Sequence, residues 1–116
     1  MDSSLPKYIR LAYRPREAIA IADLPEDFWT VQLIALTSTD ALETYAQTHG
    51  LRGMSAAKVS ANGKIYYVLL LGVYETKANA IEASSDLGPP FEKPWIRSIG
   101  SLQRAMDAAD QADQQG

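Results

Sequence analysis

Four side chains in the middle of this chain could do more than pack. Gln32 lies inside a run of β-forming residues, and its amide supplies two donors and an acceptor. Tyr66 and Trp95 each offer a flat apolar face with a polar tip. Arg97 follows Trp95 closely and reads first as a solvated cation that discourages pairing at a sheet edge, with a contact to a carboxylate as its other reading. These groups suit hydrogen bonding and stacking rather than bond-making. Cysteine is absent, so there is no thiolate nucleophile, no disulfide and no Cys-based zinc site. The single histidine, His49, precedes Gly50 at the end of a helical pattern, a place where the helix dipole favours it. Glu75, Glu82, Asp86 and Glu92 are scattered, whereas a glycosidase needs two carboxylates flanking one cleft. The sequence has no Gly-rich phosphate loop and no metal-ligand spacing. We therefore expect a binding protein with no catalytic residues, no cofactor and no metal.

The elements that must position these groups belong to a chain of 116 residues, 47% hydrophobic and 22% charged, which is the size and balance of one soluble globular domain. A net charge of −3 speaks against a general polyanion binder, so no nucleic acid partner is expected. No apolar run approaches the roughly 20 residues of a membrane helix, and the N-terminus lacks the basic-then-apolar pattern of a signal peptide. Residues 1–27 read as an N-terminal extension or linker, punctuated by Pro6, Pro15 and Pro25. Residues 28–100 carry most of the aliphatic and aromatic side chains on a neutral background and read as the folded unit. Residues 101–116, rich in Ala, Asp and Gln, read as a short helix from Ser101 followed by a flexible tail.

Within the folded unit, Phe28 to Leu36 predicts a strand, with Trp29, Val31, Leu33 and Ala35 on one face and Thr30, Gln32 and Ile34 on the other. Ser38 or Thr39 then caps a helix whose inner stripe is Ala41, Leu42, Tyr45 and Ala46, and Gly50 ends it. Met54 to Ala61 and Lys64 to Leu71 predict two strands joined by an Asn62-Gly63 type I′ turn, with Gly72 closing the second. Thr76 caps a second helix with Ala80, Ile81, Ser84 and Leu87 near its inner side, and Gly88-Pro89-Pro90 stops it. Trp95 to Ile99 predicts a last, edge strand behind Pro94. The order β-α-β-β-α-β with right-handed crossovers gives an α+β, ferredoxin-like (RNP-like) fold, one four-stranded antiparallel sheet with both helices on one face. The other face, bearing Thr30, Gln32, Ile34, Tyr66, Val68 and Leu70, is then open, unless a terminal segment covers it.

Trp29-Thr-Val-Gln-Leu and Tyr66-Tyr-Val-Leu-Leu-Leu-Gly72-Val-Tyr74 resemble the two recurring motifs of the SPOR domain, the sporulation-related repeat. The Lys93-Pro94-Trp95 approach to the last strand is most similar to the DamX type within that family. The resemblance runs from about Phe28 to Ser101. It implies binding of peptidoglycan, namely glycan strands lacking stem peptides, at the bacterial division septum and on the periplasmic side. It also implies a glycan site on the open sheet face, at Gln32 and Ala35 on the first strand, Tyr66 on the third and Trp95 on the fourth, with Ile34 on the same face. Ile34 stands where many members carry Gly, Ala35 where a Ser is common, and Tyr66 where a Trp is found, so the face is more apolar than usual. Two other functions share this topology. An RNA-binding domain would stack bases on aromatics of the central strands. A dimerisation module would use the apolar sheet face. The sequence leaves the oligomeric state open.

Overall fold

The computed structural model describes residues 10–50, 55–85 and 94–115. A 3-10 turn at Ile21–Asp23 precedes β1 (Trp29–Leu36), α1 (Thr39–Thr48), β2 (Ser55–Ala61), β3 (Lys64–Tyr74), α2 (Lys77–Ser85), β4 (Trp95–Ser98) and α3 (Ile99–Gln115). The sheet runs β2-β3-β1-β4 with every neighbouring pair antiparallel, so β1 and β3 are central, as the ferredoxin-like reading requires. The local signals act as their chemistry predicts. The Ser38 hydroxyl accepts the Ala41 N–H at 3.1 Å and the Thr76 hydroxyl accepts the Asn79 N–H at 3.1 Å, which caps α1 and α2. Asn62 and Gly63 both have positive φ, the requirement of the type I′ turn between β2 and β3. His49 is the C-cap of α1. In α2 the buried side chains are Ala80 and Ala83, while Ile81 is exposed rather than inward. Leu87 and the Gly88-Pro89-Pro90 stop lie outside the described residues.

Two shifts of register decide which side chains reach which face. Thr30 pairs with Val73 but Val31 pairs with Leu71, so Gly72 is an extra residue in β3. Its φ of +65° is open to glycine without strain, and the Thr30 hydroxyl donates to its carbonyl at 2.7 Å. The expectation that Gly72 closes the strand is therefore corrected: it makes a bulge, and β3 continues to Tyr74. The second shift falls between Gln32, opposite Leu70, and Ile34, opposite Leu69. It carries Ile34 to the side of Leu69 and Leu71 and brings Ala35, opposite Val68, to the side of Gln32. The expected parity of these two residues is thus reversed.

Each face of the sheet has its own core. On the helical side Val31, Leu71 and Tyr74 pack with Ala80 and Ala83 of α2, and Trp29 and Leu33 pack against them. On the other side Val59, Val68 and Leu70 pack with Ile99 and Leu102 of α3 and with Leu24. The expectation of an open face is corrected here. The helix foreseen from Ser101 begins two residues earlier, directly after β4, and folds back across β2. It presents Leu102, Ala105, Met106 and Ala109 at i, i+3, i+4 and i+7, one stripe of a helix. The described part of the N-terminal segment adds to the cover. Tyr13 meets Phe28 edge to face at 5.0 Å between ring centres, and the Tyr13 N–H donates to the Val73 carbonyl. The Gln103 amide donates to the carbonyls of Ile21 and Leu24, both at 2.9 Å, which ties this segment to α3.

Candidate functional site

The cover is not complete. Between α3 and the end of the sheet where β1 leaves β4 remains a cleft of about 170 Å³ that opens to solvent. Gln32 and Ala35 of β1, Tyr66 and Val68 of β3, and Trp95 and Arg97 of β4 line it, with Val59, Ser60 and Ala61 of β2 and Ala105 of α3 on its far side. Four of the five residues singled out in the sequence, Gln32, Ala35, Tyr66 and Trp95, therefore meet in one place. Ile34 does not, because the β1 shift turns it toward the helical side. Gln32 and Trp95 are direct partners across the β1–β4 ladder, which explains how residues so distant in sequence come together.

Arg97 organises the cleft. Alternation along β4 puts it on the same face as Trp95, and the guanidinium lies over the indole at 4.4 Å from the ring centre. Its Nη1 donates to Gln32 Oε1 at 2.9 Å. Its Nε donates to the Ser101 hydroxyl and its Nη2 to the Ser101 carbonyl, both at 3.2 Å. The β4–α3 junction holds Ser101 in place: its N–H donates to the Ser98 hydroxyl and its own hydroxyl donates to the Ser98 carbonyl. Arg97 is 9% exposed, so it is not the solvated edge cation that its position in the sequence suggests. Burial lowers its pKa by removing water from the charged form. The group starts so high that it stays a cation.

The opposite behaviour of Trp95 completes the picture. It is 56% exposed, with Arg97 against one face of the ring. The arrangement supplies an amide, a phenol, a cation and an accessible indole around an apolar floor. Such a surface can stack a ring and hydrogen-bond its substituents, and among the described residues nothing in it forms a nucleophile–base pair or a metal-ligating cluster. Sequence reasoning named Arg97 as a candidate contact to a carboxylate but read it first as a solvated edge charge, and it missed the contribution of Ala105. The i, i+2 spacing of Trp95 and Arg97 was the available signal for the place of Arg97 beside Trp95.

A four-stranded ferredoxin-like sheet with a polar and aromatic cleft on its face defines a binding module. The SPOR domain family model matches residues 25–98, and the chain belongs to that family. SPOR domains bind peptidoglycan, which sets the class of ligand. The chain is also similar to the cell division protein DamX of Serratia marcescens, at 29% identity over 87 residues. That match takes in 73% of this chain and 41% of the DamX protein, so the chain spans less than half of that relative's length. No helix among the described residues is long and apolar enough to cross a membrane.

Proposed function

We propose that the cleft beneath α3 binds peptidoglycan glycan strands from which the stem peptides have been removed, and that the domain serves as a non-catalytic address for the division septum, on the periplasmic side. The observation that carries this reading is the convergence of Gln32, Ala35, Tyr66 and Trp95 on one solvent-open cleft. The Trp95 indole supports the flat C–H face of a sugar ring, and the Gln32 amide and Tyr66 hydroxyl engage its polar substituents. Each such contact contributes about 1 kcal/mol, so several must act together to give micromolar affinity. A bare strand fits a cleft roofed by a helix better than a strand carrying peptides.

The rival readings have less support. Stacking of RNA bases needs an open central pair of strands, and here Val68 and Leu70 lie under Ile99 and Leu102. The same burial removes the apolar patch that a dimer would use. A pull-down with purified sacculi before and after amidase treatment tests the proposal. Binding that rises after peptide removal and falls in folded Gln32→Ala and Trp95→Ala variants supports it. Equal binding to both samples, or none, discards it.

A further inference from the structure

Among the described residues, Arg97 is a buried cation with no anionic partner. Its partners among the described residues are the Gln32 amide oxygen at 2.9 Å, the hydroxyl and carbonyl of Ser101 at 3.2 Å, and the Trp95 ring at 4.4 Å, all of them neutral. Charges taken out of water are ordinarily paired with an opposite charge. Arg97 is 9% exposed and is the one charged side chain among the described residues that line the cleft. A guanidinium has five N–H groups, and three are engaged. The bond to Gln32 also sets the orientation of that amide. With Oε1 turned to Arg97, the NH2 group is the end left for a ligand. The cleft therefore offers donors with a positive charge behind them.

We infer that Gln32 and Arg97 together form a carboxylate-reading site, and that the anion it takes is the lactyl carboxylate of a muramic acid residue. This inference rests on the glycan reading above and deepens it. In an intact strand that carbonyl is part of a neutral amide to the stem peptide. Hydrolysis of the amide leaves a carboxylate in its place. Selection for bare strands is then electrostatic as well as steric: the site rewards the charge that peptide removal creates. The burial that lowers the pKa of Arg97 is the same loss of hydration that an anion in the cleft would offset.

The test compares peptide-free glycan strands in two forms, with free carboxylates and with the same carboxylates converted to primary carboxamides. Calorimetry or fluorescence of Trp95 reads the dissociation constants. The wild-type domain is expected to bind the carboxylate form about tenfold or more tightly, the size of a charge-assisted hydrogen bond, and to lose that preference in high salt. Gln32→Glu keeps the shape of the cleft but supplies Arg97 with an internal anion, so it folds and loses the preference. Arg97→Lys keeps part of the preference and Arg97→Met none, each compared with its own melting curve. Equal affinity of the wild type for both forms, or a preference undiminished in Gln32→Glu, overturns the carboxylate site and leaves the glycan reading standing. Absence of binding to either form overturns both.

Discussion

Gln32 and Arg97, 65 residues apart in sequence, are joined by a buried hydrogen bond of 2.9 Å from β4 to β1. The bond holds together the two strands that carry the cleft and fixes which end of the Gln32 amide a ligand meets. Gln32→Ala leaves the guanidinium short of one neutral acceptor in a partly desolvated site. We expect a loss of about 1–2 kcal/mol of stability by denaturant unfolding and at least tenfold weaker glycan binding.

Trp95 separates binding from stability. Its indole is 56% exposed and contributes little to the core. Trp95→Ala is expected to move the unfolding free energy by less than about 1 kcal/mol while weakening glycan binding about tenfold, the scale of one aromatic stacking contact. Paired thermal melts and titrations check both halves.

The register shift in β1 makes neighbouring residues behave oppositely. Ile34 sits opposite Leu69 on the helical side and Ala35 opposite Val68 at the cleft. Ile34→Ala should destabilise the fold by about 1–3 kcal/mol and spare the affinity of the folded fraction. Ala35→Phe should fill the cleft and block binding at little cost in stability, because Ala35 is exposed. Unfolding curves and glycan titrations of the two variants read these outcomes.

Gly72 and Leu102 test the architecture around the site. A Cβ at Gly72 would lie 3.0 Å from the Tyr74 hydroxyl on a backbone with φ +65°, so Gly72→Ala is expected to cost about 1–3 kcal/mol in unfolding free energy. Leu102 is fully buried between α3 and the sheet, and Leu102→Ala is expected to cost about 2–5 kcal/mol and to expose Val68 and Leu70, read by dye binding to apolar surface.

The parts of this molecule that were legible in the sequence are those with a local cause. Asn62-Gly63, the Ser38 and Thr76 caps and the alternation in β1 and β3 define the strand order and the central pair. The site residues were legible mainly through motif resemblance, and their convergence rests on the β1–β4 pairing of Gln32 with Trp95. The misplacement of Ile34 and Ala35 has a physical reason: a shift of one residue inverts a period of two, and nothing in Gln-Leu-Ile-Ala marks where it falls. Gly72 misled because glycine serves a bulge as well as a strand end. The roof was harder to foresee because α3 packs partly through alanines. Ala105 and Ala109 fit by being small, so their stripe carries little hydrophobic weight. Arg97 looked like an edge charge because β4 is an edge strand, and only the return of α3 across the sheet buries it.

The most direct test of the central claim is an NMR titration of the 15N-labelled domain with peptide-free glycan strands. Occupation of the cleft predicts shifts concentrated in the side-chain NH2 of Gln32, the indole N–H of Trp95 and the backbone around Ala35, Tyr66 and Ala105. Shifts confined to another surface, such as the face of α1 near Asp40 and Thr44, with the Gln32 and Trp95 signals unmoved at saturation, would contradict it.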